Sequence, residues 1–176
     1  MSTVIVTGVA RADLGVVDQL AALGVATVHE AIGRAGYLGP GLRPIQDGVR
    51  TGGTAVTALC WPGDNLMIHA AVEQCQAGDL LVVTTTSPCT DGMFGELLAT
   101  SLAARGVRGL VIEAGVRDVA ELRAMGFGVW SAAVSASSGV GDPGRRSGIT
   151  ARIRRHRDRR PPPANRDHRP AQSPAR

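Results

Sequence analysis

The chain has 176 residues, enough for one domain with a sizeable core, and 44% of them are hydrophobic while only 3% are aromatic. No apolar run approaches the roughly 20 residues that span a bilayer, and the first residues lack the basic and apolar regions of a secretory signal. These features argue against a membrane protein. They predict a cytoplasmic protein with a core of Val, Leu, Ile and Ala.

The net charge of +4 is unevenly distributed along the chain. Residues 1–144 hold eight arginines and thirteen acids, a net charge of −5, whereas residues 145–176 hold eleven arginines and two acids, a net charge of +9. All 19 basic residues are arginine, so the chain has no lysine. The three cysteines are far apart and form no CxxC motif, which favours reduced thiols over a disulfide framework or a zinc site.

The acidic body alternates helix and strand patterns at short intervals, which is typical of an α/β domain. Leucines at helical spacing predict a helix over 11–24 that ends at Gly24. Thr27 and Glu30 form a capping-box pattern and predict a second helix over 27–36. The later predicted elements are a strand at 51–60, a helix at 65–78, a strand at 79–85, a helix at 95–106, a strand at 109–115, a helix at 118–126 and a strand that starts at 128–131.

The alternating pattern stops near Ser135. We therefore divide the chain into an α/β domain over 1–135 and an Arg/Pro-rich tail over 136–176, which we predict to be disordered because it has little apolar surface to bury. A basic tail also suggests nucleic-acid binding. The tail has no aromatic residue for base stacking and no binding motif, so disorder is the preferred interpretation.

Two predicted strand-to-helix junctions carry residues suited to chemistry, because ligands of open α/β sheets gather at the carboxyl ends of strands. At the first, a helix begins whose free N–H groups suit a carboxylate. The backbone groups concerned are those of Gly95, Glu96, Leu97 and Leu98.

The second junction is "EAGVRD", in which Arg117 offers a planar fork for a carboxylate and Asp118 offers oxygen ligands for a divalent cation. Adjacent opposite charges point different ways on most backbones, so we expect the two residues to have different targets. Together the junctions predict a site for a 2-oxo acid with Mg²⁺ or Mn²⁺. Other interpretations remain open: Asp118 and Glu121 also form a capping box, Arg117 could form a surface ion pair, and Glu96 suits the helix dipole.

From about Val4 to Ser135 the chain resembles the 4-hydroxy-4-methyl-2-oxoglutarate / 4-carboxy-4-hydroxy-2-oxoadipate aldolase family, which shares a superfamily with the regulator of ribonuclease activity A. The resembling stretches cover about three quarters of the chain. They include "GVATVHEAIGR", "PGDNLMIHAAVEQCQAGDLLVV" and "TSPCTDGMFGELLATSLAARGVRGLVIEAGVRDVAEL". The resemblance implies a swivelling β/β/α domain and homotrimers or homohexamers with sites between subunits.

The resemblance also implies a role for each residue of the two junctions. Asp118 is expected to ligate the metal, with water as most other ligands, and Glu96 to contact metal-bound water. Arg117 is expected to hold the pyruvyl part of the substrate. The amides of Gly95, Glu96, Leu97 and Leu98 are expected to bind its carboxylate.

The absence of lysine bears on the mechanism, because an aldolase that works through a Schiff base needs a lysine amine. We therefore predict a metal-dependent aldolase that cleaves 4-carboxy-4-hydroxy-2-oxoadipate, or 4-hydroxy-4-methyl-2-oxoglutarate, to release pyruvate in the breakdown of protocatechuate or gallate, with a side activity as an oxaloacetate decarboxylase. The alternatives are a non-enzymatic binding protein like the ribonuclease regulator, or an inactive truncated aldolase.

The chain departs from that family after "VWS", where family members continue with further strands and a helical segment. Arg, Pro, Ala and Gly are the residues that a GC-rich gene yields when it is read out of frame, and "GDPG" at 141–144 fits such a shift. The hypothesis is a frameshift near residues 135–140. It implies loss of an acidic residue that the family contributes across the subunit interface.

Overall fold

Strands and helices alternate along the chain as the sequence predicts. The computed structural model describes residues 4–136. Its helices are α1 (Leu14–Leu23), α2 (Val25–Ala31), α3 (Leu66–Gln74), α4 (Glu96–Ala104) and α5 (Val119–Ala124). Its strands are β1 (Arg43–Pro44), β2 (Thr54–Cys60), β3 (Asp79–Thr85), β4 (Gly92–Phe94), β5 (Gly109–Val116) and β6 (Gly128–Val134).

The six strands form one sheet in the order β1-β6-β5-β3-β2, and β4 pairs with β5 outside that path. β1 runs antiparallel to β6, and the other pairs are parallel. Parallel neighbours need a crossover, and α3 supplies it between β2 and β3 while α5 supplies it between β5 and β6. The predicted single-domain α/β fold is confirmed.

One face of the sheet carries the core. The inward side chains of β2 and β3, such as Val56, Leu81 and Val83, are almost fully buried and belong to one apolar cluster with residues of α3, α4 and α5. Alternate residues on the other face, such as Val82 and Val111, stay partly exposed. The core therefore lies between the sheet and the three later helices.

Several predicted boundaries shift. The capping box at Thr27 is wrong: α2 begins two residues earlier, after Gly24, and has no side-chain cap. The helix predicted to end at Gly78 stops at Gln74, and Gly78 lies at a φ of 85° in the turn before β3. The strands β1 and β4, which have only two and three residues, are not predicted at all.

Helix lengths also bear on membrane association. Within residues 4–136, no helix combines the length and the apolar character that a membrane crossing requires. The tail, apart from Ala136, and the proposed frameshift lie outside the described residues.

Candidate active site

The two predicted junctions meet at one edge of the sheet. β4 and β5 are parallel neighbours, so the segments that follow them leave from the same side. The Arg117 amide donates to the Phe94 carbonyl at 2.9 Å, and the Gly115 amide donates to the Asp91 carbonyl at 2.9 Å. These backbone bonds hold the start of α4 against the end of β5.

Asp118 adopts a left-handed backbone, with φ 54° and ψ 42°. Aspartate and asparagine tolerate this region better than most side chains. The conformation places its carboxylate over the start of α4, where Oδ2 accepts a hydrogen bond from the Glu96 amide at 3.0 Å. The capping-box interpretation of Asp118 is therefore wrong for its own helix, since α5 has no side-chain cap and Asp118 caps α4 instead.

Arg117 approaches the same carboxylate. Its Nε lies 3.7 Å from Asp118 Oδ2, and both side chains are partly exposed, at 44% and 38%. The left-handed backbone at Asp118 turns its side chain back toward Arg117, so these adjacent charges do face each other. The expectation that they have different targets stays a prediction. One oxygen thus lies between an amide donor and a guanidinium.

Gly95 is the reason that the carboxylate can approach α4 so closely. A Cβ at this position would lie 2.2 Å from Asp118 Oδ2 and 3.0 Å from Arg117 Cγ. The backbone of Gly95 is extended, with φ −156°, so the requirement for glycine comes from space rather than from its dihedral angles. A side chain here would push Asp118 away from the helix.

The first turn of α4 presents the predicted anion-binding amides. The first intrahelical bond runs from the Ala99 amide to the Gly95 carbonyl, so the earlier N–H groups have no carbonyl one turn behind them. The N–H group of Glu96 donates to Asp118 Oδ2. The Leu97 side chain is 80% exposed and Leu98 is buried, so the start of the helix lies at the surface while its next turn is anchored in the core.

A metal at this site would have few protein ligands. Within residues 4–136 no three His, Cys, Asp or Glu side chains come together as a metal cluster. Asp118 keeps Oδ1 available while Oδ2 bonds to α4. One carboxylate with water as the remaining ligands fits Mg²⁺, which keeps several waters and is often bound through one or two carboxylates.

A groove of about 740 Å³ adjoins the site between α3 and α4. Leu97 and Leu98 line it together with Leu66, His69 and Arg105. A second cavity, of about 290 Å³, lies near Arg11, away from the junctions. The groove therefore meets the candidate site through Leu97 and Leu98, whereas Arg117 and Asp118 do not line it.

None of the cysteine thiols is well placed as a nucleophile. Burial raises the pKa of Cys60 and of Cys75 to about 12, so both stay protonated near neutral pH. Cys89 is partly buried, and its Sγ lies 3.7 Å from Asp91 Oδ2. This contact occupies the thiol hydrogen of Cys89.

Sequence reasoning missed one polar pair at this end of the sheet. Thr84 Oγ1 donates a hydrogen bond to Glu113 Oε2 across β3 and β5. The register that pairs Val83 with Ile112 puts the two residues side by side. Only the strand order reveals this, because 29 residues separate them in sequence.

A family model described as "RraA-like: Aldolase/RraA" matches residues 16–154. The chain belongs to the RraA-like family. This match spans the whole of the edge where Arg117 and Asp118 meet α4.

Two curated relatives of this RraA-like chain carry the name "Putative 4-hydroxy-4-methyl-2-oxoglutarate aldolase". One, from Halalkalibacterium halodurans, is 22% identical over 136 residues, which make up 75% of this chain and 65% of the relative. The other, from Burkholderia multivorans, is 35% identical over 99 residues, which make up 56% of this chain and 60% of the relative. The chain thus spans less than two thirds of these relatives' lengths.

The chain is also similar to a solved structure whose description names a nuclease inhibitor family. Streptomyces coelicolor RraAS2, described as "an unusual member of the RNase ES inhibitor RraA protein family", is 27% identical with a TM-score of 0.60. The match covers 72% of this chain and 67% of that protein. The RraA-like fold is therefore shared by proteins named for two different activities.

Proposed function

We propose that this RraA-like protein is a metal-dependent lyase that cleaves a 4-hydroxy-2-oxo acid and releases pyruvate. The substrate class is that of 4-hydroxy-4-methyl-2-oxoglutarate and 4-carboxy-4-hydroxy-2-oxoadipate, and breakdown of protocatechuate or gallate would supply them. Oxaloacetate decarboxylation is expected as a side activity, because it passes through the same pyruvate enolate.

The observation that carries the proposal is the convergence on one point of an anion-binding helix start, a guanidinium and a carboxylate. Asp118 Oδ2 lies 3.0 Å from the Glu96 amide and 3.7 Å from Arg117 Nε. A 2-oxo acid carries a carboxylate and a ketone side by side, and these need an anion site and an electrophile close together.

Each residue has a proposed role in this chemistry. The amides of Gly95, Glu96, Leu97 and Leu98 bind the substrate carboxylate. A base takes the C4 hydroxyl proton as the C3–C4 bond breaks. Arg117, which binds the pyruvyl group, stabilises the negative charge on the enolate oxygen until protonation of the enolate releases pyruvate. Asp118 would hold Mg²⁺ or Mn²⁺, which would supply Lewis-acid polarisation of the 2-oxo group. Glu96 orients water in this region.

The composition supports a lyase without a Schiff base. A lysine amine is the usual covalent electron sink for an aldolase, and the chain has none. Without a Schiff base, the proposal assigns stabilisation of the enolate's negative charge to hydrogen-bond donors and a cation.

The test is pyruvate release from 4-carboxy-4-hydroxy-2-oxoadipate, followed with lactate dehydrogenase and NADH, with and without Mg²⁺. We expect turnover that depends on the cation and falls by at least about a hundredfold in Asp118→Ala and in Arg117→Ala, since losing one charge-stabilising group typically costs two to three orders of magnitude in rate. Asp13→Ala serves as the matched control, because Asp13 also caps a helix start, that of α1, outside the site. Turnover without a cation, or an unaffected Asp118→Ala, would rule out the proposal.

The assembly belongs to the same proposal. We expect a homotrimer or homohexamer, with the site completed between subunits, in the cytoplasm. Light scattering after size-exclusion chromatography distinguishes these from a monomer, and a monomer that turns over substrate would contradict the shared site.

A second candidate is a non-enzymatic regulator that binds an RNA-processing nuclease. The likeness to RraAS2, at 27% identity, favours it. Slower RNA cleavage by an RNase E-type enzyme in the presence of this chain, unchanged in Asp118→Ala, would support the regulator. An inactive truncated aldolase would show neither activity.

A further inference from the structure

The carboxylate of Asp118 occupies the place that a bound carboxylate ligand needs. Its Oδ2 accepts the Glu96 amide hydrogen bond at 3.0 Å and faces Arg117 Nε at 3.7 Å. These are two of the donors to which the proposed function assigns the substrate. An internal anion therefore already occupies one amide of the proposed anion site and faces its guanidinium.

The position of this oxygen is fixed by the chain rather than by chance rotation of an exposed side chain. The left-handed backbone of Asp118, at φ 54°, turns the carboxylate toward α4. The missing Cβ of Gly95 leaves the room, since any Cβ would lie 2.2 Å from Oδ2. Two features, one at each residue, thus place this oxygen at the start of the helix.

We propose that Asp118 blocks its own site: while its carboxylate is not engaged by a cation, it excludes the substrate carboxylate from the start of α4. A divalent cation bound by Asp118 would draw the carboxylate off the Glu96 amide and neutralise its charge, which would leave that amide and Arg117 free for the substrate. Cation and oxo-acid binding are then coupled, with the cation first. This inference rests on the proposed site and adds its regulation.

The physical reason is like-charge repulsion combined with competition for donors. Two carboxylates within about 4 Å repel each other strongly unless a cation lies between them. While the Glu96 amide donates to Asp118, it also cannot donate to the ligand. The blocked state therefore has low affinity for any small carboxylate, whether or not the protein turns it over.

The experiment measures pyruvate binding in metal-free buffer by ligand-observed NMR. We expect Asp118→Asn and Asp118→Ala to bind pyruvate roughly three- to tenfold more tightly than the wild type, because each removes a partly exposed like charge beside the receptor. Asparagine tolerates the left-handed backbone, so the first variant keeps the fold. The second also removes the side-chain acceptor from the Glu96 amide.

Asp13→Asn is the matched control. Asp13 accepts a hydrogen bond from the Val16 amide at 3.0 Å at the start of α1, so the variant removes the same charge from another helix start. We expect it to bind pyruvate as weakly as the wild type. Addition of Mg²⁺ should tighten binding to the wild type and leave both Asp118 variants unchanged.

Binding to the Asp118 variants that equals or falls below the wild-type level would overturn the inference, and so would the absence of binding in all proteins. This result is separate from the lyase assay, which measures bond cleavage in the cation-loaded wild type. Tighter metal-free binding by the variants together with no cleavage would reject the proposed function while leaving the self-blocking aspartate standing.

Discussion

The N-terminal helices and the later helices are attached to the sheet in different ways. α3 and α4 each bury at least three residues in the core, including Ile68 and Leu102. α1 and α2 have no buried residue, and apolar side chains such as Leu23 and Val25 are 61% and 86% exposed. Hydrophobic burial holds the later helices, so the N-terminal helices need another source of attachment.

For α1, ionic contacts contribute to that attachment. Arg11, which precedes α1, forms an ion pair at 2.9 Å with Asp79, whose side chain is fully buried at the start of β3. Asp18 of α1 pairs with Arg108, which also donates to the Gly52 carbonyl at 3.1 Å. The comparison shows that the sheet holds α3 and α4 by apolar packing, whereas a few ionic contacts help to hold α1.

The largest expected effect comes from breaking the buried ion pair. Arg11→Ala leaves the Asp79 carboxylate buried without its cation, and we expect a loss of about 3–5 kcal/mol in the free energy of unfolding. Urea denaturation measures it. Arg34→Ala breaks an exposed ion pair with Glu30 and should cost less than about 1 kcal/mol. Equal losses in the two variants would show that burial of Asp79 does not matter.

A smaller effect is expected from a pair of leucine truncations, one in each region. Leu102 is fully buried in α4, so Leu102→Ala removes packed methyl groups and should cost about 2–5 kcal/mol. Leu23→Ala at the exposed end of α1 should stay within about 0.5 kcal/mol. Denaturation midpoints of the two variants test the contrast, which fails if Leu23→Ala is as costly as Leu102→Ala.

The smallest effect is local and depends on pH. The hydrogen bond from Arg108 lowers the pKa of Asp18 below its ordinary value of 3.8. A lowered pKa gives stabilisation that is present above the ordinary value and is lost as the pH falls through the lowered one. We expect α1 amides to lose hydrogen-exchange protection below about pH 4, before those of β5, with NMR as the readout. Asp18→Asn should show the weaker protection already at neutral pH.

The elements packed in the core are also those that the sequence predicts best. Branched apolar runs predict β3 and β5 almost to the residue, because burial on the sheet demands such residues. The pattern at Thr27 predicts the wrong start for α2, because a local capping pattern does not reveal that Gly24 already turns the chain. β1 and β4 are too short for periodicity and depend on pairing with β6 and β5.

At the candidate site, too, the sequence predicts some features and not others. Residue types alone predict an anion site at the start of α4, a carboxylate-binding Arg117 and a metal-binding Asp118. The roles of these residues remain predictions. The contact between Asp118 and the start of α4 could not be predicted, because it depends on a left-handed backbone and joins residues 22 positions apart.

The left-handed backbone of Asp118 also limits how this site can change during evolution. Aspartate, asparagine and glycine are the residues that adopt such a conformation with least strain. In the genetic code a single-base change converts an aspartate codon into one for asparagine or for glycine. One nucleotide can therefore remove the proposed metal ligand and leave the fold intact, which is a short path between an enzyme and a binding protein on the same scaffold.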